Sequence, residues 1–320
     1  MQTLNTNLDL KLKRVFVRCD LDVPVENGLV KEAYRLEAAL PTLNLLKQAG
    51  AKIIIAGHMG KPEGKLVYEF STKQLLPFFN EKLGEGNFEL LENLRFDSRE
   101  ETNDENYARE LASKADIYVN ESFATSHREH ASIVGVPKYL PHFAGLQFAK
   151  EVENLSKVLK NPEKPFIAII GGAKLESKKP VVSKFLQIAD FVLLGQKLGL
   201  DWREPVPQNL VLPIDYNDQQ WDIGPITAAK YAQIISTAKT IVWCGPMGVF
   251  EEPEHSMGTK AIGEAVVNSG AFSVAGGGNT VDALDRFGFF NKINFVSTGG
   301  SAMLEFLVNE TLPGLEALNA

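Results

Sequence analysis

The sequence predicts an α/β protein of two domains, each a parallel sheet flanked by helices. Three observations carry this. The chain has 320 residues, more than a typical single domain and enough for two that each bury a core. Its strand candidates are short unbroken apolar runs such as Phe166-Ile167-Ala168-Ile169-Ile170, the pattern of a strand buried on both faces. These runs alternate with stretches of helical period and end in loops rich in glycine or in charge. The apolar fraction of 44% and charged fraction of 23% are those of an ordinary soluble globular protein.

Composition excludes several function classes. A net charge of -7 argues against a general nucleic-acid or membrane-surface role. Cys19 and Cys244 are the only cysteines, too few for a disulfide framework or a cysteine-based metal site, and they suit a reducing compartment. There is no basic segment followed by an apolar run at the start, and no apolar stretch approaches the roughly 18 residues that span a bilayer. A cytoplasmic protein is expected. The arginines crowd the first half, where Arg14, Arg18, Arg35, Arg95, Arg99, Arg109 and Arg128 precede residue 150 and only Arg203 and Arg286 follow. That imbalance suggests a local anion site.

In the first half, Arg14 to Cys19 reads as a strand with Asp20-Leu21-Asp22-Val23-Pro24 at its C-terminal end, where ligands sit in open α/β sheets. The two carboxylates could order arginines, bind a hydroxylated substrate or simply cap a helix. Lys31 to Ala49 reads as a helix ended by Gly50. Arg35 in its first turns is unfavourable with respect to the helix dipole unless something anionic meets it. Lys52 to Ala56 is a second strand, leading into Gly57-His58-Met59-Gly60-Lys61-Pro62. Ser71 to Leu83 reads as amphipathic helix. Phe88 to Leu91 leads to Arg95, and Asp116 to Asn120 leads to His127, Arg128 and His130. The two histidines lack a third His or Cys nearby, and Arg128 between them would repel a cation, so anion binding fits better than metal. Four successive strands deliver Arg18 with the Asp pair, His58 and Lys61, Arg95, then His127, Arg128 and His130 to one edge. Such arginines suit a substrate carrying both carboxylate and phosphate, since the guanidinium fork pairs bidentately with either.

Leu146 to Lys160 reads as a charged amphipathic helix connecting the halves. The Phe166–Ile170 strand then ends in Gly171-Gly172-Ala173-Lys174-Leu175-Glu176-Ser177-Lys178, and a helix starting there would set Lys174 and Lys178 on one face. Strand, Gly-Gly turn and paired lysines form a candidate phosphate cradle, although the stretch fits neither the P-loop nor the G-x-G-x-x-G pattern. Further strands are expected at 191–195, 210–215, 240–243, 271–275 and 294–297. The first ends at Gly195, and that at 240–243 runs into Cys244-Gly245-Pro246-Met247-Gly248-Val249-Phe250-Glu251. The strand at 271–275 meets Gly276-Gly277-Gly278-Asn279-Thr280, a second candidate phosphate loop with Asn279 as N-cap. Thr298-Gly299-Gly300-Ser301 is expected to cap the final helix.

These motifs, in this order, resemble phosphoglycerate kinase over almost the whole chain, from Arg18-Cys19-Asp20-Leu21-Asp22-Val23-Pro24 to Leu312-Pro313-Gly314. The resemblance includes Gly57 to Pro62, Leu91-Glu92-Asn93-Leu94-Arg95-Phe96, His127 to Ser132, Gly171 to Lys174, Asp222-Ile223-Gly224-Pro225, Gly245 to Glu251 and Ser297-Thr298-Gly299-Gly300. It implies two Rossmann-like domains joined by a helix and hinge: residues 1–147 for 3-phosphoglycerate, 148–161 as connecting helix, 162–305 for Mg-ATP, and 306–320 returning to the first domain. It implies reversible transfer of phosphate between ATP and the carboxylate of 3-phosphoglycerate, giving 1,3-bisphosphoglycerate and ADP, by a cytoplasmic monomer. Substrate-binding roles then fall to Asp20, Asp22, Arg35, His58, Lys61, Arg95 and Arg128. Nucleotide-binding roles fall to Lys174, Lys178, Gly195, Glu251, Gly276, Gly277, Gly278, Asn279 and Thr280, and catalytic roles to Arg35, Lys174, Lys178, Gly277 and Gly300.

The chain departs from the family pattern in specific places. It is shortened before Leu91 and between Leu194 and Asp222, where the family shapes its adenosine pocket. Asp22 and Cys244 stand where the family has Asn, and Lys61 replaces an Arg, which loses a bidentate donor. Asn279 takes the place of the aspartate that ligates the Mg²⁺ of the nucleotide, and an amide is a poorer Mg²⁺ ligand than a carboxylate. A non-catalytic relative that binds phosphometabolites or a protein is the alternative these departures raise. A nicotinamide-dependent oxidoreductase is disfavoured by the absence of G-x-G-x-x-G and its acidic partner.

Overall fold

A computed structural model describes residues 1–320. The chain divides into two compact units, Met1–Val152 together with Thr311–Ala320, and Glu153–Glu310.

In the first unit the apolar runs become strands β1 (Arg14–Arg18), a short hairpin β2 (Val25–Glu26) and β3 (Leu29–Val30), helix α1 (Tyr34–Gln48), β4 (Lys52–Ala56), α2 (Leu76–Leu83), β5 (Phe88–Leu90), α3 (Glu105–Ala112), β6 (Ile117–Asn120), β7 (His142–Ala144) and α4 (Leu146–Lys160). The main sheet runs β5-β4-β1-β6-β7 and every pairing in it is parallel. Strand β7 is too short to show a pattern in sequence. Helix α1 buries Leu36, Ala39, Leu43 and Leu46, a stripe at steps of three and four that faces the sheet. It begins at Tyr34 rather than Lys31 because the Lys31 amide closes the hairpin on the Pro24 carbonyl (2.9 Å). The expected helix over 71–83 splits into a 3₁₀ turn at Thr72–Leu75 and α2. Pro77, with no amide to donate, is tolerated only in the first turn of α2.

Helix α4 starts in the first unit and ends in the second, and its first turn is held by side chains from elsewhere. The Leu146 amide donates to Thr42 Oγ1 (2.8 Å), and those of Gln147 and Phe148 donate to the two carboxylate oxygens of Glu121 (3.1 and 3.2 Å). Burial pushes the Glu121 carboxyl up to about 8, against the pull of these hydrogen bonds.

The second unit comprises β8 (Phe166–Ile170), α5 (Leu175–Ile188), β9 (Phe191–Leu194), α6 (Gln196–Asp201), β10 (Leu210–Val211), α7 (Pro225–Ile235), β11 (Thr240–Cys244), α8 (Met257–Asn268), β12 (Phe272–Gly276), α9 (Gly278–Arg286), β13 (Phe295–Ser297) and α10 (Ser301–Asn309). Its sheet order is β10-β9-β8-β11-β12-β13, all parallel. Every residue of β8 and β11 is buried, as central strands covered on both faces require. The strand expected over 210–215 stops at Val211: Pro213 cannot donate, and the Ile214 and Asp215 amides turn to Thr227 Oγ1 (2.9 and 3.1 Å). Helix α10 is not the last. A short α11 (Pro313–Ala317) follows, and the Gly314 amide donates to the Ser126 carbonyl (2.9 Å) in the first unit, to which this segment belongs.

In each sheet the chain runs outward on one side and then jumps to the other, which places a crevice beyond the carboxyl ends of β1 and β6 in one unit and β8 and β11 in the other. In the second unit the crevice depends on close backbone approach. A methyl added at Gly245 would fall against the Gly171 carbonyl, and one at Gly171 against Pro246, while Gly172 and Gly245 have φ of +104° and +97°. We expect Gly245→Ala to destabilise the second unit by about 2–5 kcal/mol through strain and overpacking. Gly278→Ala, whose methyl meets nothing within 4 Å, is the control that leaves Tm unchanged. Equal melting temperatures for the two variants would contradict this account.

Candidate active site

The first unit gathers positive charge around neutral histidines. Arg18, expected at the edge of the site, is instead fully buried. It donates to Ser132 Oγ (2.9 Å), Ser122 Oγ (3.3 Å), the Cys19 carbonyl (2.5 Å) and His58 Nδ1 (2.9 Å). A guanidinium can only donate, so His58 Nδ1 accepts and its proton sits on Nε2. Burial first, then the charges of Arg18, Arg95 and Arg128, hold the His58 imidazolium well below its usual range. Burial and the same three arginines push His130 down to about 3. Its approach to Glu100 at 3.7 Å is therefore not an ion pair, since His130 is neutral.

Arg95 is buried, with Nη1 on the Gly60 carbonyl (2.8 Å) and Nε in an ion pair with Glu101 (3.2 Å), while neither Nε nor the buried Nη2 makes a hydrogen bond. A buried donor left unmatched costs stability unless a ligand completes it. Arg35, second residue of α1, donates from Nη1 to the Asp22 carbonyl (2.7 Å). Asp22 is exposed and its carboxylate accepts from the Gly60 amide (2.9 Å), so these contacts link the loops after β1 and β4 to α1. Lys61 is exposed and Arg128 half-buried. Asp20 turns inward: its carboxylate accepts from Ser122 Oγ, Thr125 Oγ1 (3.1 Å) and the Ala124 amide (2.9 Å). It shapes the loop after β6 that carries Arg128.

The second unit holds a cavity of about 370 Å³ walled by Gly172, Lys174, Lys178, Gly245, Gly276–Asn279 and Gly300, among others. Lys174 is the N-cap of α5 rather than a helical residue, yet it and Lys178 line the same space. Gly277, φ +102°, is the N-cap of α9. Asn279 was expected there but is the second helical residue, exposed at the mouth. Only glycine adopts the cap geometry without strain. Gly300 caps α10 beside it, and a methyl on Gly300 would lie 3.5 Å from Gly277 Cα. Two adjacent helix N-termini therefore open on one space with two lysines, a ready site for phosphate. Thr280 is buried, accepting from the Gly245 amide (2.7 Å) and donating to the Gly276 carbonyl (2.9 Å). Gly195 lies behind the Gly171 turn, its added methyl 3.0 Å from Gly171 Cα. Both support the cradle's walls from behind. Burial pushes the Cys244 thiol up to about 11, with Lys178 close enough to oppose the shift.

A second cavity of about 580 Å³ adjoins the first through Gly172, Ala173, Pro246 and Asn279, and includes Glu251. Its apolar walls, Leu200, Met247, Val249 and Trp221, carry no chemical signature in sequence. The one available signal was the Trp at the edge of the shortened region. As to a metal, no group of three or more His, Cys, Asp or Glu could hold an ion, and the cradle offers a single amide oxygen, on Asn279. These residues fit a cation that arrives bound to nucleotide phosphates, not one resident in the protein.

A cradle of this build suits phosphate, and the chain falls in the class of kinases that transfer phosphate. Its sequence matches the family described as Phosphoglycerate kinase over residues 5–85, 78–200 and 206–310. The chain belongs to the phosphoglycerate kinase family. A curated phosphoglycerate kinase of Leptospira biflexa serovar Patoc, in two strains, is 39% identical over 381 aligned positions, covering 97% of this chain and 96% of the relative. That alignment is longer than the chain itself, so segments of the relative are absent here. A solved phosphoglycerate kinase from Coxiella burnetii is 33% identical with a TM-score of 0.86, covering 98% of each chain. One from Pyrococcus horikoshii is 30% identical with a TM-score of 0.86, over 100% of this chain and 98% of that one.

The neutral histidines set a pH dependence. Below the ordinary value of 6.5 the unfolded chain takes up protons that His58 and His130 refuse when folded. Their contribution to stability is complete above pH 6.5 and falls as the pH drops towards 3. We expect the Cε1–H resonances of both rings to stay at neutral positions from pH 7.5 to 5, and His130→Asn to flatten the fall of Tm with acid. A ring that titrates with a midpoint near 6.5 would refute the assignment.

Proposed function

We propose that this chain catalyses the reversible transfer of phosphate between 1,3-bisphosphoglycerate and ADP, giving 3-phosphoglycerate and ATP, with Mg²⁺ carried on the nucleotide as part of the substrate. The observation that carries the reading is the pair of anion sites at the strand-order reversals of their two sheets, one built of arginines and the other of lysines and helix N-termini. The first suits a small molecule with phosphate and carboxylate at its two ends. The second suits a polyphosphate.

In this reading Arg95 Nη2 and Arg128 meet the phosphate of 3-phosphoglycerate, with Lys61 supplying charge at the rim. His58 Nε2–H, neutral and fixed by Arg18, donates a hydrogen bond without adding charge. Asp22 orders Gly60 and Arg35, and Asp20 orders the loop of Arg128. Lys174, Lys178 and the amides at Gly277 and Gly300 hold the nucleotide phosphates. Phosphoryl transfer needs no general base here: the bond from phosphorus to the carboxylate oxygen breaks as one to the terminal oxygen of ADP forms, and no proton moves. Charge on the moving group must be met by cations placed in line, for which Arg35 and Lys178 are assigned. Water must be kept out while this happens. Buried free thiols at Cys19 and Cys244 suit a reducing, cytoplasmic setting, and no helix is long and apolar enough to cross a membrane. We take the working form to be a monomer.

The test is formation of 1,3-bisphosphoglycerate from 3-phosphoglycerate and ATP, coupled to NADH oxidation, with and without Mg²⁺. We expect Mg-dependent turnover, reduced about 10²–10³-fold in kcat by Arg35→Ala and by Lys178→Ala. Folded protein without turnover at high nucleotide would overturn the assignment. Asn279→Asp should lower the Mg²⁺ concentration needed for half-maximal rate, because a carboxylate binds this cation better than an amide. An unchanged Mg²⁺ dependence would show that the Asn279 side chain does not touch the ion.

A further inference from the structure

Glu100 lies in the first unit with none of its surface exposed, and nothing in the reaction above employs it. Its Oε2 accepts from the Ser132 amide (3.0 Å) and its Oε1 from the Ser132 hydroxyl (2.6 Å). A hydroxyl has one proton to give, so Ser132 Oγ is left as an acceptor on its other side, where Arg18 Nε meets it (2.9 Å). The far end of the same guanidinium donates to His58 Nδ1 (2.9 Å). A second hydroxyl repeats the pattern: Ser122 Oγ accepts from Arg18 Nη1 (3.3 Å) and donates to Asp20. The buried Arg18 charge is thus met through two serines rather than by direct ion pairs. In each case the carboxylate behind the serine decides which way the hydroxyl points.

We infer that Glu100 is a positioning residue for substrate binding: through Ser132 and Arg18 it fixes the tautomer of His58 and so keeps Nε2–H available to 3-phosphoglycerate. The inference rests on the kinase reading above for the identity of the ligand. What the carboxylate supplies is a direction along the row of hydrogen bonds. In Glu100→Gln, one orientation of the side-chain amide sets its NH₂ against the Ser132 amide, donor against donor. The other sets NH₂ against Ser132 Oγ, which must then turn its proton towards Arg18 Nε or leave it without an acceptor. Either way the row that ends on His58 is broken, and a buried guanidinium loses a counter-charge. The fold has less need of this side chain, because the Glu100 turn is already tied by backbone: the Ala131 amide donates to the Glu100 carbonyl (2.9 Å). A carboxylate kept only to hold that turn would leave the His58 ring as it is.

The test compares whole-chain wild type with Glu100→Gln, Ser132→Ala and the double variant. Nitrogen-edited NMR reads the His58 tautomer in the free protein, calorimetry with 3-phosphoglycerate reads binding, and turnover reads KM. In wild type His58 should be a single neutral ring protonated at Nε2. Glu100→Gln should mix the two tautomers and raise Kd and KM for 3-phosphoglycerate about tenfold, the size of one hydrogen bond involving a charged group. The KM for ATP should stay put. Ser132→Ala removes a single oxygen and serves if Glu100→Gln does not fold; it should move the ring and 3-phosphoglycerate in the same direction. The double variant should be no weaker than Glu100→Gln alone, because both act through one row of bonds. A pure Nε2–H ring with wild-type affinity for 3-phosphoglycerate in either folded variant would overturn the inference. So would a double variant whose loss is the product of the two single losses. The ring signal and calorimetry need no turnover, so failure of this inference and failure of the kinase reading are told apart.

Discussion

Both units depend on one constraint of parallel sheets. A strand buried on both faces has no room at its sides for a ligand, so chemistry can be held only beyond the strand ends, and only where neighbouring connections diverge. The divergence lies between β1 and β6 in the first unit and between β8 and β11 in the second. The candidate site residues are fastened there: Asp20 and the Arg128 loop on one sheet, the Gly171 and Gly245 turns on the other. The glycines that allow the second crevice are thus part of the fold before they are part of any site. Their missing side chains are what let two turns approach each other and leave amides facing outward.

The two crevices handle charge differently. In the first, positive charge is partly interior. Arg18 is sealed behind the site, and its effect is exerted through His58, which it holds neutral and in one tautomer. The arrangement supplies hydrogen-bond donors of several kinds without adding further cations that would repel Arg95 and Arg128. In the second, the backbone does more of the work. Two helix N-termini supply partial charge from fixed amides, and only Lys174 and Lys178 bring full charges. The first arrangement suits a small rigid acid met by side chains, and the second a flexible polyphosphate met by a surface of amides.

Much of this was legible in the sequence because the strands are short apolar runs and the loops after them carry unmistakable residues. Phe166–Ile170 and Leu146–Lys160 match the structure residue for residue. The misses have local causes. Arg18 looked like a ligand because it ends a strand, but that strand end is buried on both faces, and Ser122, Ser132 and His58 receive the guanidinium inside. Asn279 looked like a cap because Asn favours caps, but Gly277 reaches a positive φ that Asn tolerates less well. The strand expected over 210–215 ends early because Pro213 within the run cannot donate, and because Thr227, which no local pattern points to, takes the next two amides. The larger cavity of the second unit was illegible for a different reason. Leu200, Met247, Val249 and Trp221 are ordinary apolar residues, and only tertiary structure leaves an indole uncovered.

The placement of the two thiols has a practical consequence. Cys19 follows β1 and Cys244 ends β11, each buried at the central strand of a different unit, and burial raises both thiols above their usual range. Each is shielded from alkylating reagents while its own sheet is intact, and reacts when that sheet opens. The native chain thus carries one built-in chemical clock per unit: the rate at which each thiol is labelled in mild denaturant reads the opening of its own core, without a mutation or an attached dye.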